Sequence, residues 1–315
     1  DGLGRALLSR THSTFQLTLV LVGLCFFGSM FITNDVSLLT FVPFTFVVLS
    51  RLGADVRRSL LIPVVCMQTI AANLGSMLTP IGNPQNLYLY GKSGMSIGGF
   101  VLLMLPYTLV SLLLLLAWAA LVCRKTSADL SVDELVSSSA SQGDQKIILL
   151  YLVLFAVCLL SVIRVLPYGI AFAAVLACVL FADPHTLRAV DYSLLLTFVA
   201  FFIFIGNLGR IPAFSGCLQE FLTGREVLVA VLASQVTSNV PAALLLSGFT
   251  AETQSLIIGT NLGGLGTLIA SMASLISYRQ IARELPQGKK QYFGLFTLSN
   301  LIFLALLLGV WFLLR

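Results

Sequence analysis

Asp35 carries the sharpest chemistry in this chain. It lies in Thr33-Asn34-Asp35-Val36, inside an apolar stretch running from Phe15 to Leu49. An acidic side chain at membrane depth costs of order 3 kcal/mol on insertion scales, so its presence there points to function. It suits coordination of a cation or carriage of a transported proton. Capping the helix that follows is compatible with either role.

A second polar patch, from Asn73 to Asn86, interrupts the apolar segment Leu60–Tyr90. Asn73, Ser76, Thr79, Gly82, Asn83 and Asn86 lie in it beside Pro80 and Pro84, which remove backbone donors and disfavour a continuous helix. Neutral oxygens and exposed carbonyls suit a hard cation such as sodium, whereas helix N-termini suit an anion. Asn34, Asp35 and Asn73 form the candidate sodium site. Close helix packing explains the glycines but not the paired asparagines.

The pattern recurs further along. Thr237-Ser238-Asn239-Val240 repeats the first patch, and Asn261-Leu262-Gly263-Gly264-Leu265-Gly266-Thr267-Leu268 repeats the second. Thr237, Ser238, Asn239, Asn261, Gly263 and Thr267 are therefore the counterpart candidates. Backbone opened at membrane depth is tolerated only where protein or a watery cavity satisfies it. Paired interruptions in two halves are the sequence pointer to a transporter's binding site.

The elements that must position these residues are apolar. Of the 315 residues, 58% are hydrophobic and 10% charged, against roughly 25% charged in a soluble domain. That defines an all-α polytopic membrane protein, and the alternation expected of an outer-membrane barrel is absent. The first repeat is read as residues 1–123: a hairpin over 15–49, a broken helix over 60–90 and a span over 100–122. A Ser- and Asp-rich linker follows at 124–146. The second repeat, 147–315, has spans at 147–163, 168–181 and 192–208, a hairpin at 227–249, a broken helix at 253–281 and a span at 292–314. The breaks at Thr33–Asp35 and Thr237–Pro241 lack a proper loop, so each hairpin is expected to enter and leave on one side.

Charge sets the orientation. In this layout Arg5, Arg10, Arg51, Arg57, Arg58, Arg124, Lys125, Lys146, Arg188, Arg279, Arg283, Lys289 and Lys290 share one side. Lys92, Arg164, Arg210, Arg225 and Arg315 share the other, which accounts for all 18 Lys and Arg. The positive-inside rule makes the first side cytoplasmic, with the linker inside and the C-terminus outside. The hairpins then enter from opposite sides, and the repeats have inverted topology.

Other polar residues carry less. The net charge of +5 reflects these orientation determinants and is not a nucleic-acid footprint. Six scattered cysteines form no CxxC, and His12 and His185 have no partner motif, so no metal site is expected. Asp191, Glu220 and Glu252 read as interfacial. Arg210 reads either as a snorkelling residue or as a partner for a substrate carboxylate, with the first ahead.

From Thr33 to Val36, and through Ala72-Asn73-Leu74-Gly75-Ser76-Met77-Leu78-Thr79-Pro80-Ile81-Gly82-Asn83-Pro84-Gln85-Asn86, the chain resembles the ion transporter superfamily. The similarity is to the branch of citrate-transporter-like anion permeases, arsenical-pump membrane proteins and D-type sodium/proton antiporters. Within it, the chain most resembles uncharacterised bacterial inner-membrane anion permeases. Ser238-Asn239-Val240-Pro241 and Asn261-Leu262-Gly263-Gly264 match the second-half signatures, and the likeness covers essentially the whole chain. It implies helices before residue 1, a homodimer in the bacterial inner membrane, and an elevator movement of one domain against a scaffold. It also implies that the tips Thr33, Asn34, Asp35 and Ser238, Asn239, Val240 hold ions and substrate. The dicarboxylate members carry Ser-Asn-Thr at these tips. Asp35 and Val240 depart from that, and an acidic tip suits proton or sodium coupling.

The expectation is a secondary transporter that moves a small anion with sodium or protons, not an enzyme. A sodium/proton antiporter and an arsenite-type efflux permease are the alternatives. A channel would need a continuous polar lining, whereas these residues cluster at one depth. No nucleophile–base pair or metal-ligand set is visible.

Overall fold

The structure is a computed structural model, and it describes residues 11, 13–124, 145–190, 192–208 and 210–315. Every regular element among the described residues is helical. Two compact units are present: residues 1–137 with 208–315, and residues 138–207. All the candidate residues lie in the first.

The first unit opens with α1 (Thr14–Ile32), α2 (Asn34–Ser50), α3 (Ala54–Ser76), α4 (Pro84–Ser93) and α5 (Ile97–Cys123). Ser13 caps α1 by accepting from Gln16 N, and Ser96 caps α5 by accepting from Gly99 N; each supplies an acceptor that the first helical turn lacks. Pro84 starts α4, where its missing N–H costs nothing. A single residue, Thr33, joins α1 to α2. The second helix folds back on the first, with Ser37 Oγ donating to Cys25 O at 3.2 Å.

The rest of this unit comprises α10 (Pro212–Leu222), α11 (Glu226–Thr237), α12 (Asn239–Leu246), α13 (Thr253–Leu262), α14 (Met272–Glu284) and α15 (Lys289–Leu314). To keep chain order, α6 (Gln145–Val162), α7 (Tyr168–Ala182), α8 (Pro184–Arg188) and α9 (Tyr192–Leu208) denote the second unit. There, Tyr151 Oη donates to Asp183 Oδ2 at 3.0 Å and ties α6 to the α7–α8 turn.

Among the described residues, five helical segments are long and apolar enough to cross a membrane: Thr14–Ile32, Ala54–Ser76, Ile97–Cys123, Gln145–Val162 and Pro286–Leu314. In such a protein, close packing and interhelical hydrogen bonds hold helices together. Helix α3 is the hub, buried from Leu60 to Ser76 except at Pro63 and packed on α1, α2, α5, α14 and α15. Gln68, fully buried in it, donates to Leu21 O at 3.1 Å and Thr45 Oγ1 at 2.8 Å, which pins both arms of the α1–α2 pair to α3.

Several expected boundaries move. Helix α3 begins at Ala54 rather than residue 60, because no proline or glycine stops it after Gly53. The first interruption is residues 77–83, shorter than Asn73–Asn86. Asn73 and Ser76 end α3 and Asn86 lies in the first turn of α4. The second interruption is 263–271, not 260–267, since Thr260 and Asn261 stay helical and bond back within α13. The second arm of the later pair ends at Leu246. Helices α8 and α10 were not anticipated: short, proline-started and part polar, they carry no long apolar run. His12, Asp191 and most of the 124–146 linker lie outside the described residues.

Candidate functional site

Both one-residue joints hold the same unusual backbone. Thr33 has φ 67° and ψ 155°, and Ser238 has φ 75° and ψ 154°. This region is essentially reserved for glycine and costs about 1–3 kcal/mol for other residues. The match also fixes the register between the halves. Thr33 pairs with Ser238, Asn34 with Asn239 and Asp35 with Val240, so the alignment of Thr33–Val36 on Thr237–Val240 is one residue out.

In that register, with Asn73 laid on Asn261, hydrogen bonds recur at matched positions. Asn34 N donates to Gly82 O at 3.2 Å, and Asn239 N donates to Ala270 O at 2.9 Å. Thr79 Oγ1 donates to Met30 O at 2.6 Å, and Thr267 Oγ1 donates to Gln235 O at 3.2 Å. The glycines match as well. A Cβ on Gly75 would strike the Phe26 carbonyl and come within 2.8 Å of Ser29 Oγ; one on Gly263 would come within 2.6 Å of Ser234 Oγ. Only a residue without a side chain lets α3 lie this close to α1, and α13 to α11.

Between the joints runs one buried polar network. Asn34 Nδ2 donates to Asn73 Oδ1 at 3.0 Å, and Asn34 Oδ1 accepts from Asp35 N at 2.9 Å. Ser271 Oγ donates to the same Asn73 oxygen at 2.9 Å. Ser76 Oγ donates to Asn73 O and accepts from Asn83 Nδ2 at 2.7 Å. Asn83 Nδ2 also reaches Asn261 Oδ1 at 3.5 Å. Asn261 Nδ2 donates to Asn86 Oδ1 at 2.6 Å, and Asn86 Nδ2 donates to the carbonyls of Ser76 and Thr79. Asn34, Asn73, Asn83, Asn86 and Asn261 are each buried.

Within this network some polar atoms have no partner. They are Asp35 Oδ1, Asn73 Nδ2 and Asn83 Oδ1. An unbonded buried polar group costs about 1–3 kcal/mol, and such groups need an explanation. They offer a ligand one amide donor and two acceptors, one of them a carboxylate. Asn73 Oδ1 already accepts from two donors and Asn34 Oδ1 from one. Asp35 Oδ1 accepts from none, so it is the oxygen of the Asn34–Asp35–Asn73 trio most open to a cation.

The other candidates are placed as follows. Thr79 holds the first joint through its hydroxyl on Met30 O and Gly82 through its carbonyl on Asn34 N. Ser238 and Asn239 sit at the second, with Ser238 Oγ 3.4 Å from Ala270 O. Gly263 gives its carbonyl to Gln235 Nε2 at 3.0 Å. Thr237 and Thr267 are exposed; Thr237 Oγ1 donates back to Ala233 O, and Thr267 N donates to Gln235 Oε1 at 2.9 Å. Neither reaches the asparagine network. Ser271 and Gln235 were missed: each is a single polar residue, and what marks them is placement beside a joint or a break. Among the described residues no group of three His, Cys, Asp or Glu is gathered to hold a metal.

A helical membrane protein with a polar network between two broken helix pairs belongs to the transporter class, and comparison with known proteins specifies the family. Residues 1–256 match the citrate transporter family model, CitMHS, and the chain belongs to that family. The inner membrane protein YbiR of Escherichia coli is 32% identical over 285 residues, covering 89% of this chain and 73% of its own length. The uncharacterized transporter MJ0456 of Methanocaldococcus jannaschii is 32% identical over 266 residues, covering 84% of this chain and 70% of its own. A 46 kDa membrane protein of Mycobacterium leprae is 23% identical over 307 residues. The chain is a multi-pass membrane transporter of the CitMHS family.

Proposed function

We propose that this protein is a secondary active transporter that moves a small anion coupled to a proton or sodium ion, with Asp35 as the coupling group. One observation carries the reading: Asp35 Oδ1 and Asn73 Nδ2, a carboxylate oxygen and an amide donor, are buried without partners beside the strained Thr33 joint. The acceptor suits the cation and the donor suits the anion. The acidic tip favours an inorganic or small organic anion over citrate-like dicarboxylates. A sodium/proton antiporter and an arsenite-type efflux permease are the alternatives on the same site.

The matched joints and matched hydrogen bonds support two repeats of inverted topology, with 15–49 and 227–249 as re-entrant hairpins. Charge bias supports a cytoplasmic 124–146 linker and an external C-terminus. An elevator movement within an inner-membrane homodimer completes the reading. The candidate sites are Thr33, Asn34, Asp35, Asn73, Ser76, Thr79, Gly82, Asn83 and Asn86 with Ser238, Asn239, Asn261 and Gly263. Thr237 and Thr267 hold their turns.

The test uses full-length protein in liposomes containing a pH dye, under a sodium gradient, without and then with a panel of anions. Ion movement that appears only with a particular anion supports coupled anion transport. Proton movement driven by sodium alone overturns it in favour of the antiporter.

A further inference from the structure

The two halves differ at matched positions of α4 and α14, and the difference opens a polar seam. In the register above, Asn86 of α4 matches Ser274 of α14, and Asn73 matches Asn261. Asn261 Nδ2 reaches Asn86 Oδ1 directly at 2.6 Å. Its counterpart Asn73 Nδ2 has no partner, and Ser274 Oγ, fully buried, has none either. A serine is too short to make the bond that an asparagine makes.

The same face of α14 stays polar toward its C-terminal end. Ser277, one turn on, is fully buried and makes no bond back along its own helix. It stands beside the Tyr292 hydroxyl, which lies 3.2 Å from Thr69 Oγ1 of α3. Next comes Gln280, whose Nε2 reaches Leu38 O at 3.5 Å while its Oε1 is unpaired. Other buried helical hydroxyls here, such as Ser111, Ser234 and Thr260, bond back to a carbonyl four residues earlier. For Ser274 the carbonyl four residues earlier, Ala270 O, already accepts from Asn239 N at 2.9 Å and Ser238 Oγ at 3.4 Å, which takes both its lone pairs.

The matched positions of α4 toward its C-terminal end are filled differently, although Gln85 at its start is buried with both side-chain polar atoms unpartnered. Ser277 corresponds to Leu89, which is fully buried. Gln280 corresponds to Lys92, whose Nζ is spent on Ser247 O. The run of unpartnered groups that continues along a whole helix is the one on α14, from the asparagine network to the end that carries Arg279 and Arg283. Asp35 lies one turn before Leu38 on α2, which packs against α14. The helices around it bring Cys25, Cys66, Tyr278 and Tyr292, with Arg279, Arg283 and Glu284 at the C-terminal end of α14 and Asp55, Arg57 and Arg58 at the start of α3. Glu284 stands 3.8 Å from Arg283 at the helix end, and Asp35 is the acid beside the asparagine network.

We propose that the Ser274–Ser277–Gln280 seam is a hydrated proton inlet that serves Asp35 from the Arg283 end. Water bound to these groups completes their hydrogen bonding, as buried water does elsewhere. A hydronium ion at the Gln280 end passes a proton along waters and hydroxyls. Asp35 Oδ1 accepts it as a new O–H bond and a water remains; no electrons are exchanged. This inference rests on the coupled-transport reading above.

The experiment uses the full-length protein in liposomes, with the exposed Cys158, Cys178 and Cys217 replaced by serine. Ser277→Cys, Ser274→Cys and the matched control Leu89→Cys are treated with a small hydrophilic thiol reagent, aminoethyl methanethiosulfonate. The seam predicts labelling of the two seam positions at least tenfold faster than position 89. Equal or slower labelling overturns it. Ser277→Val, a near-isosteric dry plug, is expected to lower proton flux about tenfold while anion affinity stays unchanged; unchanged flux overturns the inlet. Anion transport by the parent protein without proton movement keeps the transport reading and overturns this one. A parent that moves neither anion nor proton overturns the transport reading itself.

Discussion

Asn261 Nδ2 donates to Asn86 Oδ1 at 2.6 Å, so the end of α13, just before the second break, is bonded side chain to side chain to the start of α4, just after the first. The two residues are 175 apart in sequence. Asn86 holds three groups in place, because its own amide bonds the Ser76 and Thr79 carbonyls. The bond therefore sets the distance between α13 and α4, and with it the shape of the network.

Replacing Asn86 by Ala removes all of these bonds at once and leaves Asn261 Nδ2 with Ile257 O alone. The expected loss is about 1–3 kcal/mol, the cost of a buried polar group left unpaired. Thermal unfolding of detergent-solubilised protein should show a lower midpoint for N86A. An unchanged midpoint would mean that the Asn261 amide is satisfied elsewhere.

Strain at the joints gives an opposite-signed prediction. Thr33→Gly relieves a backbone conformation that costs about 1–3 kcal/mol in a non-glycine residue, offset in part by about 0.4–1 kcal/mol from a more flexible unfolded chain. T33G should thus melt somewhat higher than the parent yet transport more slowly, since the joint no longer holds Asn34 and Asp35 as firmly. A variant less stable than the parent would show that the Thr33 side chain contributes contacts exceeding the strain.

Close approach at the glycines predicts parallel damage. Gly75→Ala drives a methyl group into the Phe26 carbonyl, and Gly263→Ala drives one onto Ser234 Oγ. Overpacking of this kind costs about 1–3 kcal/mol or more. G75A should be the more harmful, because backbone yields less readily than a serine hydroxyl. The comparison is read from the fraction of monodisperse protein on size-exclusion chromatography.

Much of this arrangement was legible in the residues, for identifiable reasons. Apolar runs in a membrane protein are bounded by polar and proline residues, so α9 at Tyr192–Leu208 falls where the sequence places it. The joints were visible because Thr33–Asp35 and Thr237–Pro241 interrupt apolar stretches. What composition could not reveal is how far a helix persists through polar residues. Asn73 and Asn261 keep helical hydrogen bonds, so the breaks begin later than the asparagines suggest. Nor could it reveal a one-residue register shift, since Thr-Asn-Asp-Val and Thr-Ser-Asn-Val look alike until Thr33 and Ser238 show the same backbone angles. Ser271, Ser274 and Gln235 were hidden for a third reason: an isolated polar residue acquires meaning only from its neighbours in space.

Asp35→Asn tests the central claim most directly. The substitution keeps size and the backbone bond to Asn34 but removes the charge and the proton site. Full-length D35N would be compared with the parent in liposomes containing a pH dye, under an imposed sodium gradient and with the transported anion present. The account predicts that ion-driven accumulation of the anion is lost. Coupled, still pH-dependent transport at the parent's rate in D35N would contradict the assignment of Asp35 as the coupling group.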